Sequence, residues 1–120
     1  MALSKTMVTM MAWPRPRCAL VDAVTYRGLA LHRPLVLEHD GSCRKLMRGW
    51  QITHIRSGKA VFEQALDTTL DKAAFAFRWI ADAYDWERAE EELDKKAAGS
   101  VVGSVIEHLQ IGLFDETREN

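Results

Sequence analysis

Gly49-Trp50-Gln51-Ile52-Thr53-His54-Ile55-Arg56-Ser57-Gly58-Lys59-Ala60 and, a few residues on, Thr68-Thr69-Leu70-Asp71-Lys72-Ala73-Ala74-Phe75-Ala76-Phe77-Arg78-Trp79-Ile80-Ala81-Asp82 hold the change of period on which the fold turns. In the first stretch Trp50, Ile52 and His54 alternate with Gln51 and Thr53, the period of two expected of a half-buried strand over residues 47–55. Arg56-Ser57-Gly58-Lys59 reads as a short hairpin loop with a glycine available for positive φ, and residues 60–64 as the returning strand. In the second stretch the period becomes that of a helix. Thr68 with Asp71 is capping-box-like and predicts a start near Thr69. Leu70, Ala73, Ala74, Phe77, Ile80, Ala81 and Tyr84 then share a face about 120° wide, suited to covering a sheet.

Working outward toward the N-terminus, residues 18–26 are rich in Ala, Val and Leu and stop at Arg27-Gly28. Leu29, Leu31, Leu35 and Leu37 share one parity across Arg33, with His32, Pro34 and Glu38 on the other. Proline cannot donate to a ladder, so this strand is expected at an edge or with a bulge. Asp40-Gly41-Ser42 is a tight turn. Residues 1–16 read as a mobile arm with Pro14-Arg15-Pro16 extended. Toward the C-terminus, residues 86–98 predict a second helix with Ala89, Leu93 and Ala97 inward and Glu91/Lys95 and Glu92/Lys96 as i,i+4 pairs. Gly99 should end it. Ser100 should cap a third helix carrying Val102, Val105, Ile106 and Leu109, with Gly112 as C-terminal cap. Leu113-Phe114 is expected to tuck back ahead of a polar tail over 115–120. The expectation is one α+β domain over 17–114: a three- to four-stranded antiparallel meander, then three helices packed on one face.

The chain has 120 residues and a net charge of −1, enough for one domain with a real core. That small charge conceals an asymmetry. Residues 1–60 carry ten Lys/Arg against three Asp/Glu, and residues 61–120 carry six against fourteen. No run reaches the roughly 18 apolar residues of a membrane span. The run from Met7 to Trp13 is a poor signal-peptide core, broken by Thr9 and stopped by Pro14, so the cytoplasm is the expected compartment. Two cysteines, Cys18 and Cys43, make no disulfide framework.

Patterns that would carry chemistry are thin. His32, His39, Asp40, Cys18 and Cys43 lack the paired spacing of a zinc site, and no metal or other cofactor is expected. Cys43 has only His39 as a local base, too little for a nucleophile assignment. Ser57-Gly58-Lys59-Ala60 lacks both the first glycine and the Ser/Thr of a phosphate loop, and a hairpin turn accounts for it. His54, on the apolar parity, is expected buried and bonded to a backbone carbonyl. Glu90, Glu91, Glu92 and Asp94 read as a solvated helix face. The pattern points away from an enzyme.

Two surfaces stand out instead. Opposite the core face of the first helix, Phe75, Trp79 and Trp86 fall within about 40° of each other, bordered by Lys72 and Asp82. A helix apolar on both sides is sandwiched or offers one side to a partner. Phe75, Trp79, Asp82, Trp86, Glu90, Glu91 and Asp94 are therefore the candidate protein interface, with a homodimer as one option. The basic half supplies the alternative. Arg44, Lys45, Arg48, Arg56 and Lys59, with Arg15, Arg17, Arg27 and Arg33 nearby in sequence, could contact a nucleic-acid backbone, although no recognised nucleic-acid motif accompanies them. Attraction between the basic strands and the acidic helices within one fold would account for the same charges.

Trp50-x-Ile52-Thr53-His54, the Ser57-Gly58 turn and the Ala-rich helix closing on Trp86 resemble small proteins of phages and mobile elements, over roughly a third of the chain. The resemblance transfers no active site. It implies a small protein that binds and blocks a host protein complex by occlusion, a CRISPR effector among the targets. The anti-CRISPR step is analogy.

Overall fold

The computed structural model describes residues 4–10, 17–37, 43–61, 64–88 and 90–114. Its elements are strands β1 (Ser4–Met10), β2 (Arg17–Tyr26), β3 (Leu29–His32), β4 (Leu35–Leu37), β5 (Cys43–Lys45), β6 (Gln51–His54) and β7 (Ala65–Asp67). Helix α1 (Leu70–Asp82), a single 3-10 turn (Glu90–Glu92), helix α2 (Lys95–Leu109) and strand β8 (Gly112–Phe114) follow. The class is α+β with antiparallel pairing throughout.

The main sheet runs β1-β2-β3-β6, with β4-β5 and β7-β8 as separate two-stranded pairs. Its meander differs from the expected one at both ends. Ser4–Met10, read from the sequence as part of an arm, pairs along its whole length with β2, from Ser4 opposite Ala23 to Met10 opposite Arg17. Of residues 60–64, expected as the returning strand, the described ones (60, 61 and 64) lie in no named strand. Among the described residues, the chain after Gly58 returns alongside β6 and the residue before it through isolated bridges, Thr53 to Ala60 and Trp50 to Leu66. The next strand, β7, pairs instead with the C-terminal β8, which is how Leu113-Phe114 tucks back. Pro34 also has another meaning: β3 is central, and Pro34 lies just past its last residue, where the missing N–H ends the ladder.

Register assigns the two faces. Val24, Leu31 and Ile52 stand in line across the sheet, as do Tyr26, Leu29 and His54, and this face packs with Phe77, Ile80, Trp86, Val102 and Val105. Ala30 and Thr53 lie on the opposite face with His32, and Leu35 packs against the small Ala23–Ala30 cluster there. His32 is buried. Its Nδ1–H donates to the Arg33 carbonyl at 2.7 Å, and Nε2 accepts from the Thr53 hydroxyl at 2.8 Å. This bond is why Thr53 is buried although the alternation predicts it outward. Burial lowers the His32 pKa below its ordinary value of 6.5, with the Arg33 carbonyl partly opposing the shift.

Thr69 is the N-cap of α1, its hydroxyl accepting from the Lys72 N–H at 3.3 Å, so the cap falls one residue after the predicted Thr68. Ala73, Ala74, Phe77, Ile80 and Ala81 are buried as expected, joined by Ala76, while Leu70 is substantially exposed.

The three-helix expectation is corrected to two. Residues 86–88 form turns and a bend, 90–92 the 3-10 segment, and one helix from Lys95 then runs through Gly99 and Ser100. Two causes combine. Asp94 is the true cap, its carboxylate accepting from the N–H groups of Lys96 and Ala97, both at 3.1 Å. Ala98, Val102, Val105 and Leu109 also make one unbroken stripe across the predicted break, with Ala98 inward in place of Ala97. Burial of that stripe outweighs the ~1 kcal/mol that each of Gly99 and Gly103 costs relative to Ala. The C-cap is Gln110, left-handed at φ 53°, rather than Gly112, which lies within β8. Residues 11–16, the turn at 40–42 and the tail at 115–120 lie outside the described residues.

Candidate protein-binding face

The outward side of α1 carries Phe75, 61% exposed, and Trp79, 39% exposed, with ring centroids 6.3 Å apart edge to face. His108 of α2 stands edge-on to Trp79 at 5.2 Å and forms one border. On the other side, Asp82 Oδ1 accepts from the Tyr26 hydroxyl at 2.8 Å and lies 3.4 Å from Arg27 Nε. The Arg78 guanidinium sits over the Tyr26 ring at 5.0 Å. Two large aromatic side chains are thus held on a capped helix whose opposite side is locked into the core.

Trp86 is not part of this face. The helix ends at Asp82, so the 100° spacing that aligns Trp86 with Phe75 and Trp79 no longer applies. Trp86 is 3% exposed, and its indole N–H donates to the Ile80 carbonyl at 2.8 Å. Its own carbonyl accepts from His54 Nε2–H at 2.6 Å, while His54 Nδ1 accepts from the Ser57 hydroxyl at 2.8 Å. Lys59 N–H completes the chain by donating to Ser57 Oγ at 3.2 Å. This relay ties the β6 hairpin loop to the connector between the helices, and His54 meets its expected fate as a buried histidine on a backbone carbonyl. A serine–histidine contact resembles an activated nucleophile. Here, however, the third member is a carbonyl, which fixes the tautomer but stabilises an imidazolium far less than a carboxylate does. The adjoining cleft, about 270 Å³, is walled by Val61, Trp86, Leu93 and Ala98.

Gly28 belongs to the same construction. It has φ +86°, and a Cβ placed there would stand 3.0 Å from the Trp86 carbonyl oxygen. The β2–β3 turn therefore needs a glycine both for its backbone conformation and for the close approach of residue 86.

The acidic residues divide between two tasks. Asp94 is used as a cap, and its own N–H donates to the Tyr84 hydroxyl at 2.6 Å, so this exposed residue has an architectural task. Glu91 and Glu92 are exposed on the 3-10 turn, while the Glu90 side chain lies outside the described residues. To Asp82, already singled out from the sequence, the structure adds Asp85 and Glu87. Asp82, Asp85 and Glu87 line a surface depression of about 680 Å³ together with Arg27 and Tyr84. Asp85 and Glu87 flank Trp86 in sequence, and their role emerges only once that tryptophan turns inward.

The basic candidates sit on separate elements: Arg44 and Lys45 on β5, Arg48 on the bend after it, Arg56 and Lys59 on the β6 hairpin loop. Arg48 binds both carboxylate oxygens of Asp67, at 3.3 and 2.8 Å, and its guanidinium holds the Asp67 carboxyl below the ordinary carboxylate pKa. Arg56 donates to the Glu87 carbonyl at 3.2 Å. Arg33, counted in the basic half, lies 3.9 Å over the Trp50 ring and donates to the Gly49 carbonyl. Part of the charge asymmetry is therefore satisfied inside the fold, as the Arg27–Asp82 and Arg48–Asp67 pairs show.

Among the described residues no three His, Cys, Asp or Glu side chains gather into a metal site, and no helix is long and apolar enough to cross a membrane. His39 and Asp40 lie outside those residues. Comparison with protein-family models, with curated proteins and with solved structures finds no match, so the physical reading of the α1 face stands on the residues themselves.

Proposed function

We propose that this chain is an interaction protein that docks on a host protein complex through the Phe75–Trp79 face of α1 and blocks it by occlusion. One observation carries the reading: two adjacent large aromatic side chains are presented to solvent on a helix whose other side packs into the core from Ala73 to Ala81. Tryptophan and large aromatics are the usual anchors of protein interfaces, and a rigid helix presents them at little entropic cost. Asp82, one helical turn from Trp79, borders the anchors, and with Asp85 and Glu87 it lines a depression whose acids suit a basic groove of the kind that holds nucleic acid. Resemblance to phage and mobile-element proteins makes a CRISPR effector in the bacterial cytoplasm the first target to test, the anti-CRISPR step remaining analogy.

The test is capture from the host with the full chain as bait, followed by titration of the purified captured complex. The expected result is inhibition that saturates at one chain per complex, and at least 30-fold weaker binding by Phe75→Ala/Trp79→Ala, a loss of about 2 kcal/mol. A double variant that binds and inhibits like the parent refutes the assignment of this face.

A further inference from the structure

The outward stripe of α1 is self-complementary. Phe75 and Trp79 lie two positions before and after Phe77, and Lys72 and Asp82 lie five positions before and after it. At 100° per residue these four fall within about 80° of arc, on the side opposite the buried Phe77. When two such helices lie antiparallel and face to face, a twofold axis at the level of Phe77 sets Phe75 of each copy against Trp79 of the other. The same axis sets Lys72 of each copy against Asp82 of the other. A parallel arrangement would instead oppose lysine to lysine and aspartate to aspartate, so the charges select the antiparallel one.

From this pattern we propose that α1 pairs antiparallel with a second copy of this chain, and that this self-association covers the docking face and competes with the target. The competition rests on the docking role given above to the same face; the pairing itself does not. An isologous contact of this kind needs only one surface and closes at the dimer. The residues are placed for it. Lys72 is exposed, and the Asp82 side chain keeps 49% of its surface in solvent while Oδ1 takes the Tyr26 hydroxyl and Arg27. A contact centred on one helix face is small, in the range of weak and transient interfaces, so its dissociation constant is expected on the order of 10–100 μM. The chain is then a dimer when it accumulates and a monomer when dilute, with the aromatic pair uncovered in the monomer.

Sedimentation velocity on the full chain, from about 5 μM to 500 μM, brackets that range and tests the pairing. The parent is expected to shift from monomer to dimer. Lys72→Asp, which makes both ends of the stripe acidic, and Asp82→Lys, which makes both ends basic, are each expected to weaken dimerisation at least tenfold. An equimolar mixture of the two is expected to restore a dimer, because each stripe then meets its opposite. The mixture also controls for the Tyr26 and Arg27 contacts that Asp82→Lys removes, since a misfolded variant restores nothing, and a melting curve on each variant shows that it folds. A parent monomeric at every concentration, or a dimer indifferent to both substitutions, overturns the pairing. A monomeric parent that still loses its target on Phe75→Ala/Trp79→Ala removes this inference alone. A parent that dimerises yet binds target undiminished by that double substitution removes the docking role and keeps the pairing.

Discussion

Trp86→Ala separates two placements of the same tryptophan. Extended helical spacing puts Trp86 on a solvent face with Phe75 and Trp79, whereas the structure buries it to 3% exposure between His54, Tyr84 and the core. A tryptophan buries roughly 150–250 Å², which at about 25 cal/mol per Å² corresponds to ~4–6 kcal/mol as an upper bound. Truncation keeps the Cβ and lets neighbours relax, but it also leaves the Ile80 carbonyl with the long Ala83 N–H contact at 3.3 Å in place of its indole donor, a penalty of about 1 kcal/mol. The sum sits at the upper end of measured aromatic truncations, so a loss of about 4 kcal/mol is expected. In a domain of this size that lowers the melting temperature by about 15 °C. Phe75→Ala, at a residue 61% exposed, should cost under ~1 kcal/mol, and Trp79→Ala, at a residue 39% exposed that packs on His108, about 1–2 kcal/mol. Urea unfolding followed by far-UV circular dichroism measures all three without relying on tryptophan emission. If Trp86→Ala costs less than ~1 kcal/mol, or no more than Trp79→Ala, the placement of Trp86 in the core is wrong.

Three further outcomes are expected. Gly28→Ala meets both a left-handed backbone at φ +86° and the Trp86 carbonyl at 3.0 Å, and should lose ~2–3 kcal/mol; an unchanged urea midpoint would contradict the close approach. Asp94→Ala removes the cap of α2 and should cost about 1 kcal/mol while Asp94→Asn costs little, so equal stabilities for the three proteins would show that the cap is idle. His32 is held neutral by burial, its folded pKa below the unfolded 6.5. Its contribution is therefore fully present above pH 6.5 and is lost as pH falls from there toward the folded value, because the unfolded chain then binds the proton more readily. Stability measured from pH 7.5 down to about pH 5 should decline more steeply in the parent than in His32→Asn. Parallel profiles would remove His32 as the cause.

Local pattern and tertiary structure divided the work unevenly. The period change from Trp50-Gln51-Ile52-Thr53-His54 to Ala73-Ala74-Phe75-Ala76-Phe77 by itself determined an α+β chain, the position of α1 and its buried face. It set Phe75 and Trp79 on the opposite side of that helix but left open whether that side is sandwiched or offered to a partner. Those readings depend on side-chain periodicity within one element, which the chain carries locally. What lay between elements was not legible. Gly99-Ser100 has the composition of a break, yet the stripe from Ala98 to Leu109 finds a core to bury in and carries the helix through. Trp86 has the spacing of α1 but lies beyond its end, where direction is set by the Ile80 carbonyl and His54 rather than by helical geometry. The partner of β8 is likewise distant in sequence, and pairing across such a distance is decided by the assembled fold, not by the strand, whereas β1 pairs with the next strand in the chain. The +7 and −8 of the two halves are a fact of sequence. Only the fold decided that Arg27 and Arg48 would meet Asp82 and Asp67, leaving the aromatic pair on α1 as the surface to test.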